Sequence, residues 1–463
     1  MIQPLTLEQL ADLLKGEFRG PPAASFERVI TDTRQLQPGC LFVALKGPRF
    51  DGHAFIPDAR GQGAAMALVE HWVDDPLPQI RVTCTRKALG ALAAWNRQQF
   101  KSPVIAVTGN SGKTTVKEML AAILKLARGL VLSTRGNLNN EIGVPLTLLE
   151  LQPEHQAAVV ELGANHLGEI DYLAGLTQPD VGVLTNVTGA HLGEFGSMQA
   201  IAQAKGELIP WLNTGECLVL NRDDRFFDFW EKQARCSILS FGLAQGDLRA
   251  KQVSTDAAGN TRFLAVTPWG QQMIELQLPG EHNIANALAS MAVAGHLGID
   301  LSLQARALAD MQPVKGRLQR VNAYGDALLL DDSYNASPGA VKSAIDLLAS
   351  LPGQRILALG ALAELGEASA QIHRDLGLYA KHRGLDELVV LTGPAEATAK
   401  AFGASARVFP NHESLADFLR PRLTADTCLL VKGSRSAGMD RLVELLRNDK
   451  TQESGSSDGF ISL

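Results

Sequence analysis

The chain has 463 residues, of which 46% are hydrophobic and 20% charged, and its formal net charge is -6. At about 150 residues per domain, that length predicts roughly three packed units of a soluble protein. No long run of Lys and Arg supplies the clustered positive charge that phosphate backbones demand, which excludes nucleic acid as the main partner.

At the N-terminus, Thr6 and Gln9 stand at capping-box spacing beside an apolar helical stripe of Leu7, Leu10, Ala11 and Leu14. The chain starts in a folded helix, with no cationic leader, and no apolar stretch is long enough to cross a bilayer. Secretion and membrane insertion are therefore not expected. The five cysteines (Cys40, Cys84, Cys217, Cys236, Cys428) are far apart, and no pair has zinc-ligand spacing. They read as reduced thiols of a cytoplasmic protein.

The first unit, residues 1–100, is a small α/β module with a buried strand over Leu41–Leu45, ended by Lys46-Gly47-Pro48. The polar stretch 98–103 marks a boundary. A central unit, 101–313, opens on the apolar strand Val104–Val107, is strand-like and turn-rich near 213–280, and returns to a small-residue helix over Ile284–Leu297. The third unit, 314–447, alternates apolar strands (Ala327–Leu330, Ile356–Leu359, Leu388–Leu391, Thr427–Val431) with helical patterns, as βαβ units of a mostly parallel sheet do. The fold class expected is thus α/β in three units, the second P-loop-like and the third Rossmann-like, with a disordered Ser- and Gly-rich tail over 448–463. The linker Gln312–Arg317 carries both Pro and Gly, which suits a hinge.

The strongest chemical signal is Thr108-Gly109-Asn110-Ser111-Gly112-Lys113-Thr114-Thr115, between the strand and a helix whose apolar positions are Val116, Met119, Leu120, Ile123 and Leu124. Strand, glycine loop and helix N-terminus form an anion cradle. Backbone N–H groups face phosphates, Lys113 neutralises them, and the Thr114 hydroxyl can ligate magnesium. The usual first glycine of a P-loop would fall at Val107, so this is a shorter variant. Glu161 ends the apolar run Ala157–Val160 at a strand C-terminus, where α/β proteins present ligand residues, although a solvated strand end fits equally well. Taken alone, His191 reads as a loop histidine and Lys205 as a solvated lysine.

Several runs together resemble the Mur ligases of peptidoglycan synthesis. They are the loop Gly109–Thr115, Asn137-Leu138-Asn139-Asn140-Glu141-Ile142-Gly143-Val144-Pro145, Glu161-Leu162-Gly163-Ala164-Asn165-His166, His282-Asn283 with Asn286, Asp331-Asp332-Ser333-Tyr334-Asn335, and Lys432-Gly433-Ser434-Arg435. The resemblance extends to about residue 447 and is closest to the branch that adds D-alanyl-D-alanine to UDP-N-acetylmuramoyl-tripeptide. It implies an ATP- and Mg2+-dependent ligase that passes through an acyl phosphate. The substrates would be those two small molecules, and a monomer is expected.

By resemblance, Glu161, His191 and Lys205 join Thr114 as magnesium ligands, Lys205 as a carbamate. Lys113, Glu161, His191 and Lys205 form the catalytic set. Asn283, Arg317 and Asp332 are expected to contact the nucleotide beside Gly109–Thr115. Thr31, Asp32, Thr33, Arg34 and Lys46, with Asn137, Asn139 and Asn140, are expected at the UDP substrate. Asn335, Lys432, Ser434 and Arg435 are expected at the amine.

Three departures stand out: Gly360-Ala361-Leu362 where the family reads Gly-Asp-Met, Glu281 where it has Arg, and Ser337 for a second Asn. The first removes a carboxylate from a strand tip of the third unit. Two other functions share parts of this pattern. A folylpolyglutamate-synthase-like ligase shares the short loop but would not need the unit before it. A P-loop nucleotide switch would carry a guanine-reading Asn-Lys-x-Asp motif, which is missing.

Overall fold

The computed structural model describes residues 1–48, 50–188, 192–256 and 260–448. The expected disordered tail therefore lies outside the described residues, Asn448 excepted.

Three main sheets organise the chain. In the first unit the helix Leu7–Leu14 begins at the expected capping box, with both reciprocal Thr6–Gln9 bonds made. Its five-stranded sheet sets the parallel strands Val29–Ile30, Leu41–Val43, Met66–Val69 and Gln79–Arg81 beside an antiparallel edge, Glu17–Arg19.

The central sheet has nine strands. Val104–Thr108 lies in its parallel part, between Ala157–Glu161 and Val181–Leu184. The chain runs from Val104–Thr108 out to the edge strand Val131–Ser133, returns by Ala157–Glu161, and then crosses to the other side. The strand order therefore reverses at Val104–Thr108, and ligand crevices open at such a switch point. The turn-rich stretch near 213–280 supplies the rest of the sheet, ending in the antiparallel strands Leu248–Thr255, Thr261–Thr267 and Gly270–Leu276. The helix Lys113–Arg128 buries every apolar position expected of it, Val116, Met119, Leu120, Ile123 and Leu124, against this sheet and the helix Glu281–His296.

The third sheet inserts Thr427–Lys432 between Leu328–Asp332 and Gln354–Leu359, giving a second switch point. The expected strands are all present, and several run one or two residues further than their apolar cores, through Asp332 and Lys432.

The first two units share a core. One apolar cluster runs from Leu7, Leu10 and Leu41 through Leu89 and Leu92 to Val104, Leu148 and Ala158. The helix Thr85–Gln99 bridges them: the Asn96 amide donates to Leu148 O at 2.8 Å and accepts from Ile2 N–H at 2.9 Å. Arg97 likewise donates to Thr177 O and Gln178 O, both at 2.7 Å. All five cysteines are free thiols, and no described helix is long and apolar enough to cross a membrane.

Candidate active site

The phosphate loop forms where the central strand turns into its helix. Gly109 has φ +139° and Gly112 φ +84°, in the region that favours glycine. A side chain at Gly109 would also put its Cβ 2.0 Å from Thr185 Oγ1, and one at Gly112 would meet Asn286 Oδ1 at 2.4 Å. Asn186 braces the loop with two reciprocal bonds, Ser111 N–H to Oδ1 at 3.0 Å and Nδ2 to Ser111 O at 3.2 Å. Asn110 N–H donates to Asn186 O at 2.9 Å, while Thr188 N–H donates to Asn110 Oδ1 at 3.2 Å. Thr115 lies buried in the first turn.

Lys113 Nζ donates to Gly109 O at 2.8 Å and Asn110 O at 3.2 Å, so its charge sits over the loop. Burial lowers its pKa, Glu161 opposes that shift, and Arg317 adds to it. Glu161, 2% exposed, is held from three sides. Thr114 Oγ1 donates to Oε2 at 3.0 Å, Asn139 Nδ2 donates to Oε1 at 2.8 Å, and the Glu161 N–H donates to Thr134 Oγ1 at 2.9 Å. Thr134 O accepts in turn from the fully buried Lys117 at 2.6 Å.

Lys205 is not solvated: it is 1% exposed, donates to Ala164 O at 3.1 Å, and stands 5.6 Å above the Phe195 ring. Burial first, and the nearby Lys113 charge second, bring its pKa down to about 7. His191 lies outside the described residues. Among the described residues no three of His, Cys, Asp and Glu are grouped to hold a metal ion.

A cavity of about 800 Å3 opens beside the loop, lined by Ser111, Asn283, Arg317, Asp332, Asn335 and Lys432 among others. Its volume suits a nucleotide-sized ligand. The third unit reaches the loop directly, since Arg317 Nη2 donates to Thr114 Oγ1 at 3.0 Å while its guanidinium lies 4.4 Å over the Tyr334 ring. Register sets Asp332 beside Lys432, whose Nζ, on a side chain 3% exposed, donates to Asp332 Oδ2 at 2.5 Å and Asn335 O at 3.0 Å. Asn283 Nδ2 is engaged by Pro279 O at 2.7 Å. Ser434 turns to Ala361 O at 2.6 Å, and Arg435 to Asp440 at 3.1 Å.

Thr31, Asp32, Thr33, Arg34 and Lys46 do not line this cavity. They follow the C-terminal ends of two adjacent parallel strands of the first sheet. Arg34 folds back onto Asp32 and holds its carboxyl below the usual carboxylate range. Asn137 and Asn140 are exposed, and Asn140 Oδ1 accepts from Gly143 N–H at 2.9 Å. Asn139 was expected at the UDP substrate, but its side chain bonds Glu161.

Sequence reasoning missed Thr134, Lys117, Thr185 and Asn186, and it named Asn286 within a motif without giving it a role. Asn186 followed an apolar strand, which is a signal, but one it shares with any polar turn.

Three family models match: the Mur ligase catalytic domain over residues 26–97, the Mur ligase middle domain over 107–294, and the glutamate ligase domain over 316–435. The chain is 43% identical over 452 residues to the UDP-N-acetylmuramoyl-tripeptide–D-alanyl-D-alanine ligase of Escherichia coli (strain K12), covering 96% of this chain and 99% of that one. The chain belongs to the Mur ligase family.

Among solved Mur ligases, MurF from Acinetobacter baumannii superposes with a TM-score of 0.90 at 37% identity, over 96% of this chain and 99% of that one. MurF from Thermotoga maritima, in complex with ADP, gives 0.82 at 31% identity, over 90% and 96%. The expected three-unit α/β fold is thus borne out. A folylpolyglutamate synthase from Mycobacterium tuberculosis shares the fold alone, at 16% identity and a TM-score of 0.62 over 78% of this chain and 94% of that one.

Proposed function

We propose that this Mur ligase joins D-alanyl-D-alanine to UDP-N-acetylmuramoyl-tripeptide in peptidoglycan precursor synthesis, with ATP converted to ADP and phosphate. The observation that carries the reading is 43% identity, over 96% of the chain, to a ligase named for that reaction. The proposed division of labour gives residues 1–100 the UDP part of the substrate, 101–313 the ATP, and 314–447 the amine. The enzyme is read as a cytoplasmic monomer.

A carboxylate is a poor acyl donor because an amine cannot displace oxide from it. Transfer of the γ-phosphoryl group to the tripeptide carboxylate creates a leaving group. The dipeptide amine then attacks the acyl carbon, and phosphate departs. The chain assists mainly by placement and by charge. Lys113 exchanges the Gly109 and Asn110 carbonyls for phosphate oxygens, Arg317 brings a second cation to the same place, and Asp332 and Asn283 orient the nucleoside.

The donor set fits magnesium, since Thr114 Oγ1 and Glu161 Oε2 are hard oxygens 3.0 Å apart at the phosphate loop. Thr114, Glu161, His191 and a carbamylated Lys205 would hold the ion, which supplies neutralisation of phosphate charge when bound. Carbon dioxide reacts with the neutral amine, and a pKa of about 7 keeps a large neutral fraction at physiological pH.

The test uses tripeptide nucleotide labelled with 18O in its terminal carboxylate. One label should pass into inorganic phosphate for each peptide bond formed. Retention of all the label in the nucleotide, or ADP release that ignores the tripeptide, overturns the reading.

A further inference from the structure

His373 belongs to none of the motifs above, yet it is completely buried within the third unit. It sits on the helix Ser369–His382, and both ring nitrogens are engaged. Nε2 accepts from Leu362 N–H at 3.2 Å, which requires the proton on Nδ1, and that nitrogen donates to Ser369 O at 2.8 Å. Burial lowers the pKa and so keeps the ring neutral.

The loop that His373 holds, Gly360–Gly366, leaves the tip of the strand Gln354–Leu359, where Ala361 replaces the family's carboxylate. Ala361 contributes its carbonyl, which accepts from Ser434 N–H at 3.1 Å and Ser434 Oγ at 2.6 Å. Further along, Glu364 takes a left-handed φ of +61°, and its carbonyl accepts from Gly193 N–H of the central unit at 3.1 Å. Gly193 lies on the short helix Leu192–Phe195, whose Phe195 ring faces Lys205. One loop thus ties the Ser434 strand tip to the segment beside the Lys205 pocket. A non-glycine residue is disfavoured in left-handed backbone, so fixed neighbours are needed to hold it.

We propose that His373 is a positioning residue for the amine substrate: by fixing Leu362 it sets the Gly360–Gly366 loop as the seat of the third unit on Gly193. This rests on the ligase reading. The test compares His373→Gln, whose amide oxygen can replace Nε2 as acceptor, with His373→Leu, which cannot accept. Gly193→Ala is the independent variant, because its Cβ would meet Glu364 O at 2.7 Å while leaving His373 untouched.

Hydrogen exchange at Leu362 should quicken in His373→Leu and stay slow in His373→Gln. The KM for D-alanyl-D-alanine should rise about tenfold in His373→Leu and Gly193→Ala, as loss of one buried hydrogen bond warrants, while the KM for ATP holds. His373→Gln should restore it. Folded His373→Leu and Gly193→Ala proteins with the wild-type dipeptide KM would overturn the proposal, as would equal damage to ATP and dipeptide KM. Should His373→Leu fail to fold, Gly193→Ala decides by the same criterion. Wild-type protein that forms no dipeptide product would instead sink the ligase reading, while the exchange data still report on the loop.

Discussion

Lys205 has no signature of its own in the run Ala204-Lys205-Gly206-Glu207, and only the family resemblance marked it. Its burial depends on how the helix Met198–Gly206 packs, which short-range spacing does not encode. The folded pKa of about 7 lies below the ordinary 10.5, so between those values the folded chain binds fewer protons than the unfolded one. Stability must therefore climb with pH across that window, and the full penalty remains below it. In CO2-free buffer, Lys205→Met should melt a few degrees above wild type at pH 7, and the two curves should converge toward pH 10. Its ligase activity should be lost. A melting temperature below wild type at pH 7 would mean that the ammonium is a stabilising group. Lys113→Ala removes the charge over the loop but leaves Gly109, Gly112 and the Asn186 brace in place. Turnover should fall at least 100- to 1,000-fold, roughly the effect of deleting one transition-state donor, with an unchanged circular dichroism spectrum.

At the scale of elements, the readable parts were those with local causes. The Thr6 capping box, the apolar stripe after the phosphate loop and the parallel strands of the third unit follow from periodicity and cap chemistry, and each is present. Strand ends were less legible, because Asp332 and Lys432 continue the ladder as an ion pair, with Lys432 buried and Asp332 half-buried, where polarity suggests a stop. The shared core of the first two units was also hidden. The helix Thr85–Gln99 buries Asn96 and Arg97, and polar side chains are expected at a surface unless a partner from another element meets them. Asn96→Ala orphans the Leu148 carbonyl and the Ile2 N–H it served. We expect a loss of about 2–3 kcal/mol in urea unfolding, with an unchanged KM for each substrate. A loss under ~0.5 kcal/mol would show that water replaces the amide there.

Across the whole molecule, the site is assembled from separate sheets. The phosphate loop and Glu161 come from the central one, Asp332 and Lys432 from the third, and Arg317 crosses from the linker between them to Thr114. The order of motifs along the chain showed which units must meet, whereas the contacts that join them, Arg317 to Thr114 and Glu364 to Gly193, have no sequence pattern. Arg317→Ala should raise the KM for ATP about tenfold, and Arg317→Lys should recover only part of that, because an ammonium lacks the planar fork. An unchanged KM for ATP in Arg317→Ala would detach Arg317 from the nucleotide. The most direct test of the account is the mass of the nucleotide product after incubation with ATP, magnesium, UDP-N-acetylmuramoyl-tripeptide and an equimolar mixture of D-alanyl-D-alanine and L-glutamate. A single new species is expected, heavier by the dipeptide less one water, with one ADP and one phosphate released for each. A product carrying glutamate, or ADP formed at the same rate without any amine, would contradict it.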